Sequence, residues 1–599
     1  MLIILGGYWH EIEFFKFIFW GLSQGLFFFQ VMELSNMGPY PGQRLGIFGL
    51  SSFFPYMNVY LFSFLLVLPL IFIVPLQGKR DAKQDVVYYR PESNSEYIWG
   101  ISLGYIGGFF LMGCVSCMCS MFVHLFISDF PFDVSVYLFY LFTLILPTIV
   151  FVFGLCLFVK CVVGHHLLSL LVLFLYFGVF GFMIRDVWSG VFDFTGLTLP
   201  NAFSEVTGHP DLFPYLLHRT AYFLVGVGFI QLTGLDLGRL ANAPEKRFSR
   251  IVAVFVLMAM SLGIFVFFFL RNNEKMELRR VYTGTDCKYS SFAKGTLSSQ
   301  SIRFEQQGDR MKVKSYSVIH NRTGEMLRNV VLYLNPGLEI NTFQIDEENF
   351  AFERENQVVI AGRQVAPGDS VVVRIDYAGS VDECVCYLDI SREIIKKEKQ
   401  TMDLLCPFGK RYAFLGQDFT LLTPEVLWYP TTKPVINVRT PYAIDKDFTR
   451  FSLEVVASGN KTIISQGKKK MVNGVVTFVN EQELTGITLC IGDYETRTTT
   501  IDSIVCELYV FKRASSLFDI IDSYGNSPLE EIKQRIEERM GRSYPFRRFM
   551  VVETPASFTS YYRYGAGSSG FVQPELMFLP ERYAKQHDKY PESCQKICL

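Results

Sequence analysis

The sequence lacks the short motifs that would assign a catalytic activity directly. It contains no Gly-x-x-x-x-Gly-Lys-Ser/Thr loop, so no nucleotide-hydrolysing site of that kind is expected in this chain. It contains no His-Glu-x-x-His helix motif, and the only histidines after residue 270 are His320 and His587. A zinc centre needs about three protein ligands. We therefore predict no catalytic residue, no metal ligand and no cofactor in the chain.

Charged residues are also scarce. They make up 19% of the chain, the formal net charge is -1, and no basic stripe is present. A nucleic-acid-binding protein needs clustered Lys and Arg to neutralise phosphates, so this class of partner is excluded.

Apolar residues are abundant instead, and they are concentrated in the first half of the chain. The sequence is 50% hydrophobic and includes 58 Phe. Crossing a bilayer takes roughly 20 apolar residues, and we predict seven spans up to residue 270. The start of the chain has no basic region or small-residue cleavage site, so the first span should be retained. The predicted spans are residues 14–30, 59–74, 99–127, 136–159, 167–184, 221–235 and 251–270.

The basic residues between these spans predict the orientation, because loops rich in Lys and Arg stay in the cytoplasm. The loops at residues 79–90 and 239–250 carry four basic residues each, whereas the loop after the fifth span has only Arg185 and Arg219. We expect the N-terminus inside, the loop after the fifth span outside, and residues beyond 270 outside. The chain would then lie in the inner (cytoplasmic) membrane with a large C-terminal domain outside the cytoplasm.

After residue 270 the pattern changes to that of β structure. Residues 271–290 are polar and are predicted to be an irregular linker. Residues 291–512 are predicted to form an antiparallel β-rich domain, with alternating or β-branched strands at 313–319, 370–377 and 451–457. Asn473 and Gly474 form a pair that favours a tight hairpin turn.

The periodicity changes again in residues 513–599, which we predict to begin an α/β domain. Ser527, Pro528 and Glu530 form a helix start signal, and Gly541 stands where a helix would end. A strand is predicted at 549–552. The fold class is thus a polytopic helical membrane domain, a β-rich domain, and the start of an α/β domain.

The loop between the second and third predicted spans carries a first family resemblance. Residues 78–100 read GKRDAKQDVVYYRPESNSEYIWG. This stretch resembles the cytoplasmic segment of exporter-type ABC transporter permeases, which contacts a separate ATP-hydrolysing subunit. The resemblance implies an ATPase contact at Arg80, Asp81 and Glu92. The alternative is an ordinary charged loop that fixes the topology.

The second half carries a second resemblance, spread over several short segments. Residues 316–321 (YSVIHN), 334–338 (LNPGL), 422–430 (LTPEVLWYP), 551–555 (VVETP) and 573–581 (QPELMFLPE) resemble successive parts of zinc aminopeptidases of the aminopeptidase N type. The resemblance implies a saddle-shaped β domain over 291–512 and an incomplete catalytic domain over 513–599. Together with the permease segment, the chain resembles bacterial fusions of a permease with an aminopeptidase-like domain.

Two departures limit what this resemblance implies. Active members use a Glu in a Gly-x-Met-Glu-Asn loop to bind the substrate's α-amino group, and neutral Gln573 occupies that position here. Gln573 is therefore a substrate-binding candidate that binds an ammonium group weakly. Zinc is expected only if a downstream region supplied its ligands. A fragment or shortened gene product is favoured over a natural pseudoenzyme.

The leading functional hypothesis is the membrane permease component of an ABC-type export system with an extracytoplasmic aminopeptidase-like domain, handling a peptide or a lipid-linked substrate. Its expected partners are a separate ABC ATPase subunit, the lipid bilayer and a second permease chain. Two alternatives remain open. One is a membrane-anchored zinc aminopeptidase represented by a truncated chain, and the other is a non-catalytic membrane-anchored scaffold.

Overall fold

A computed structural model describes most of the chain. It covers Gly21, Gly25 and residues 51–74, 93–127, 132–184, 190–237, 244–388, 409–433, 447–456, 460–512, 527–558 and 571–581. Helices dominate up to residue 289 and strands dominate beyond it.

The helical part is a bundle with a continuous apolar core. It also contains two π-helical segments, Leu141–Ile145 and Val179–Met183. The α-helices of the described residues are α1 Phe53–Ile73, α2 Asn94–Ile127, α3 Val134–Tyr140, α4 Leu146–Val163, α5 His166–Gly178, α6 Leu212–Asp236, α7 Pro244–Tyr289 and, in the second half, α8 Ser527–Met540.

The prediction of seven spans is not supported. Within the described residues, four helices are long and apolar enough to cross a membrane, namely Phe54–Phe72, Asn94–Phe126, Val134–Val163 and Arg247–Tyr289. The predicted fifth span corresponds to a shorter apolar helix, His166–Gly181. The predicted sixth span lies in α6, whose apolar run is interrupted by His218, Arg219 and Gln231. The predicted first span lies outside the described residues, apart from Gly21 and Gly25.

Helices α4 and α6 cross at two glycines. A Cβ placed on Gly154 would lie 2.4 Å from the carbonyl oxygen of Gly226, and one placed on Gly226 would lie 2.6 Å from the carbonyl oxygen of Val150. Real side chains cannot approach a backbone this closely, so the crossing requires glycine on both helices.

The predicted irregular linker at 271–290 is helical instead. Helix α7 runs without a break for 46 residues, from Pro244 to Tyr289. At about 1.5 Å per residue, the part beyond residue 270 extends roughly 28 Å past the apolar segment. The polar residues of this part predict a linker, but they contact the strand-rich half instead: Arg279 donates to the carbonyls of Cys386 (2.7 Å) and Tyr387 (2.8 Å).

Strands β1 to β15 form three sheets, which we call the β domain. Strand order is β13-β14-β11-β1-β2-β8-β4-β5 in the eight-stranded sheet, β12-β15-β10-β9 in the four-stranded sheet, and β3-β7-β6 in the three-stranded sheet. The pairing is antiparallel except between β1 and β11. The strands are β1 Thr296–Gln307, β2 Arg310–His320, β3 Val330–Tyr333, β4 Leu338–Ile345, β5 Glu348–Asn349, β6 Glu353–Glu355, β7 Val358–Ala361, β8 Ser370–Gly379, β9 Phe414–Leu415, β10 Thr420–Leu422, β11 Arg450–Val456, β12 Thr462–Ile464, β13 Lys468–Val472, β14 Val475–Val479 and β15 Leu489–Gly492.

Several local predictions agree with these elements. The predicted strands at 313–319, 370–377 and 451–457 overlap β2, β8 and β11. Asn473 and Gly474 both have positive φ, 49° and 76°, and they join β13 to β14 as a hairpin. This is the turn geometry that the Asn-Gly pair favours.

The remaining strands form a five-stranded sheet, which we call the second sheet. Its order is β16-β17-β18-β20-β19, with parallel pairing of β18 to both β17 and β20. The sheet thus begins at Tyr494, before the predicted domain boundary at residue 512. Its buried side chains share a core with Phe414, Leu421, Ile464 and Cys490 of the β domain. The strands are β16 Tyr494–Ile501, β17 Ile504–Phe511, β18 Arg548–Thr554, β19 Phe571–Gln573 and β20 Leu576–Pro580.

The glycine crossing gives a stability prediction. Gly154→Ala should destabilise the bundle by about 1–3 kcal/mol, because the added methyl group overlaps the backbone of α6. Gly107→Ala is the matched control, since a Cβ at Gly107 on α2 meets nothing within 4 Å. The apparent Tm in detergent should fall for the first variant and stay unchanged or rise for the second. Equal Tm values for Gly154→Ala and the wild type would contradict the close crossing.

Candidate functional site between the bundle and the second sheet

Residues 190–206 form an irregular segment between α5 and α6, which we call the buried loop. Asp193 is 1% exposed and Asn201 is fully buried, and most of their neighbours in the segment are buried as well. Its burial does not test the membrane side of this loop, so the outer location stays a prediction. Buried backbone carbonyl groups that lie outside helices and sheets need hydrogen-bond donors from elsewhere in the protein.

Side chains of the surrounding helices supply these donors. Tyr56 of α1 donates to the carbonyl of Leu197 (2.7 Å), and Tyr222 of α6 donates to the carbonyl of Val191 (2.8 Å). His218 Nε2 lies 3.0 Å from the carbonyl oxygen of Gly190. Tyr140 of α3 donates to the carbonyl of Asn201. The loop is thus held by three helices.

Arg219 of α6 is only 2% exposed and donates four hydrogen bonds, one of them to the buried loop. Its Nη1 donates to the carbonyl of Phe194 in the buried loop (2.9 Å). Its Nε and Nη2 donate to the carbonyl of Thr143 (2.8 Å) in the π-helical segment and to the hydroxyl of Thr148 (2.8 Å) in α4. One guanidinium group therefore joins α6, the π-helical segment, α4 and the buried loop.

The loop is also shaped by its own residues. Asp193 accepts hydrogen bonds from the backbone N–H groups of Thr195 (3.0 Å) and Thr198 (2.7 Å), which curl the chain around the carboxylate. Gly196 has a φ of +72°, and a Cβ there would lie 2.8 Å from Arg219 Cδ. Only glycine fits at this position without moving Arg219.

The far end of the buried loop touches the second sheet through Glu581. This side chain is 1% exposed. Its Oε2 accepts a hydrogen bond from Glu205 N (3.1 Å) and its Oε1 accepts one from Ala556 N (2.7 Å). Glu205 in turn accepts a hydrogen bond from Ser51 N, at the start of the first described helix (2.9 Å). Val206 packs against the core of the second sheet.

Burial dominates the electrostatics of Glu581. Loss of solvent raises its pKa to about 8, and the charges of Glu553 and Glu205 act in the same direction. The hydrogen bonds from Ala556 and Ser204 favour the ionised form and oppose part of this shift. Glu581 is therefore a carboxyl group that can change its protonation state near neutral pH.

The opposite end of β20 carries a second carboxyl group, the partly buried Glu575. It accepts a hydrogen bond from the backbone N–H of Gly467 in the β domain (2.7 Å), and burial raises its pKa. Arg548 of β18 donates to the carbonyl of the same Gly467 (3.0 Å) and to Glu507 of β17 (2.7 Å). Strand β20 is thus fixed to the β domain at one end and to the buried loop at the other.

Of the residues predicted from the sequence, the structure describes Gln573, which lies elsewhere. Gln573 ends β19, pairs with Leu576 of β20, and stands two residues before Glu575 at the edge of the second sheet. Arg80, Asp81 and Glu92 lie outside the described residues. Glu581 was part of the quoted 573–581 segment, but its role could not be inferred, because its partner Glu205 is 376 positions away in the sequence.

The buried acidic residues do not make a metal centre. Among the described residues, no group of three or more His, Cys, Asp or Glu side chains is arranged to hold a metal ion. The described residues therefore do not fit a zinc site.

Comparisons with known proteins give similar structures but no family. No family model matches the chain, and no curated protein matches it. An M1 zinc metallopeptidase from Deinococcus radiodurans is similar at 12% identity and a TM-score of 0.36, covering 51% of this chain and 63% of that one. A mutant of an M1 zinc metallopeptidase from the same organism, bound to a Tyr-Ser-Ala substrate, is similar at 13% identity and a TM-score of 0.36, covering 49% and 62%. The chain thus spans less than two thirds of either structure.

The contacts of Arg219 give a prediction for this site. Arg219→Met should lower the stability of the bundle by at least about 2 kcal/mol, because several buried acceptors lose their donor at once. Arg280→Met is the matched control: Arg280 is exposed on α7 and forms only a 3.8 Å ion pair with Glu277. We expect an SDS titration to show a lower midpoint for Arg219→Met alone. The same midpoint for both variants would contradict the role of Arg219.

Proposed function

We propose that the protein is the membrane component of an export system in which the β domain and the second sheet are held on the bundle as one unit. The β domain would be an aminopeptidase-like recognition domain on the outer side of the membrane. The observation that carries this proposal is the double attachment of these parts to the bundle, through α7 and through the buried loop.

The first attachment is the continuous helix α7. Beyond its apolar segment, Tyr282 donates to Asp382 (2.7 Å), and Gln357 donates to the carbonyl of Tyr282 (2.8 Å). These contacts add to those of Arg279 and fix the polar part of α7 along the β domain. A tilt or rotation of α7 in the membrane would therefore move the β domain with it.

The second attachment is the buried loop. Glu205 contacts Glu581 of the second sheet, and Asp211, which follows the loop, forms a 3.3 Å ion pair with Arg271 of α7. A protein that only tethers an enzyme needs one flexible connection. Two separate connections, both at the same end of the bundle, favour a protein in which movements of the helices are transmitted to the β domain.

Energy for such movements would come from a separate ABC ATPase subunit, since the sequence has no phosphate-binding loop. The contact is proposed at Arg80, Asp81 and Glu92, in the chain segment between α1 and α2. The lipid bilayer and a second permease chain complete the proposed partners, and the inner membrane is the proposed location. A peptide or a lipid-linked molecule is the proposed substrate class, with Gln573 at the edge of the second sheet as a candidate contact.

Charge reversal tests the ATPase contact. Arg80→Glu combined with Asp81→Arg should abolish co-purification of an ATPase subunit, while membrane insertion and the yield of the chain stay unchanged. The matched control is Arg280→Glu combined with Glu277→Arg, an exposed pair on α7 near the β domain. Loss of the ATPase with the first variant and not the second is the expected result.

Unchanged ATPase binding by the first variant would contradict the proposed contact. A chain purified without any ATPase, but with chelator-sensitive aminopeptidase turnover, would instead favour the membrane-anchored peptidase. A chain with neither a bound ATPase nor aminopeptidase turnover would favour the non-catalytic scaffold.

A further inference from the structure

The contact between the buried loop and the second sheet depends on a titratable group. Glu581 accepts the N–H of Glu205 from the loop and the N–H of Ala556 from the segment after β18. It is buried, so the carboxyl group has no bulk water to solvate a negative charge. Its backbone N–H also donates to the carbonyl of Thr554, which fixes the position of the side chain relative to β18.

The charged groups around Glu581 are mainly acidic. Glu553 on β18 is 3% exposed and accepts the N–H of Phe511 (2.8 Å), and Glu205 faces Glu581 from the loop. From β16, the hydroxyl of Tyr494 donates to the carbonyl of Glu553 (2.7 Å).

A basic residue lies nearby in the chain segment that borders this contact. The N–H of Arg411 donates to the carbonyl of Ser557 (2.9 Å), but its guanidinium group is paired with Glu383 (2.6 Å). Ionisation of Glu581 would therefore place a charge close to two other carboxyl groups.

We propose that Glu581 is a proton-dependent latch that holds the buried loop against the second sheet. With Glu581 neutral, the loop stays docked and the second sheet remains attached to the bundle. When Glu581 ionises, the docked state weakens and the loop can separate from the sheet. This proposal concerns the chain alone and does not depend on an ATPase partner.

The direction of the pH effect follows from linkage. Docking raises the pKa of Glu581 from the ordinary 4.5 to about 8, so the docked form binds the proton more tightly than the undocked form. Docking is then strongest below the ordinary pKa and is lost progressively as pH rises from about 4.5 to about 8. Above that range, both forms are ionised and the pH dependence ends.

Hydrogen exchange of the intact chain in lipid nanodiscs tests the latch. The N–H of Glu205 donates to Glu581, so peptides covering residues 190–211 and 550–558 report the docked state directly. After correction for the intrinsic exchange rate, protection of these peptides should fall by up to about tenfold per pH unit between pH 5 and 8. Protection that is constant over this range would overturn the proposal.

Three variants separate the latch from a general effect of pH. Glu581→Gln should abolish the pH dependence of hydrogen-exchange protection, whatever level of protection this variant has. Glu575→Gln, at the other end of β20, should retain the wild-type pH dependence at residues 190–211. If Glu581→Gln fails to fold, Glu205→Gln provides the test: removing this neighbouring charge should end the fall in protection at a lower pH. Wild-type pH dependence in Glu581→Gln, or an unshifted profile in Glu205→Gln, would overturn the proposal.

Discussion

Carbonyl groups of an irregular backbone inside an apolar bundle need hydrogen-bond donors. The arrangement of the helical half depends on supplying such donors to residues 190–206. The donors are side chains that would otherwise be unexpected among apolar helices: Arg219, His218 and three tyrosines. Arg219 also donates to Thr143 in the π-helical segment Leu141–Ile145, so the irregular loop and the irregular helix share one donor group. Removing the loop would leave a buried guanidinium with fewer acceptors, which is energetically unfavourable.

The second sheet extends this constraint beyond the bundle. Strand β20 lies between Glu575, which binds the β domain, and Glu581, which binds the buried loop. Both carboxyl groups accept backbone N–H bonds, so each end is fixed in direction as well as position. Together with the continuous helix α7, this gives the β domain two independent connections to the bundle. That arrangement is the physical basis of the proposed coupling between membrane helices and the β domain.

Local sequence signals predicted the local structure well. The Ser-Pro start of α8, the positive φ of Gly541 after it, and the Asn473-Gly474 hairpin each depend on a few neighbouring residues. Parts of the fold that depend on distant contacts were missed. The polar residues of α7 resembled a linker, because the carbonyls that bind Arg279 lie more than 100 positions away. The burial of residues 190–206 was not predicted, because counting Lys and Arg cannot reveal that Arg219 points into the bundle.

The most direct test of the account is whether the loop region and the β domain are in contact in the membrane-embedded protein. A Cβ at Gly409 would lie 2.5 Å from the Cβ of Pro210, which follows the buried loop. A disulfide needs a Cβ–Cβ separation of roughly 3.5–4.5 Å, so a shift of about 1–2 Å would let cysteines at these two positions form one under mild oxidation. Pro210→Cys with Gly362→Cys is the control, since a Cβ at Gly362 meets nothing within 4 Å. The account predicts that mass spectrometry finds the 210–409 cross-link and not the 210–362 cross-link. Absence of the first, or equal formation of both, would contradict it.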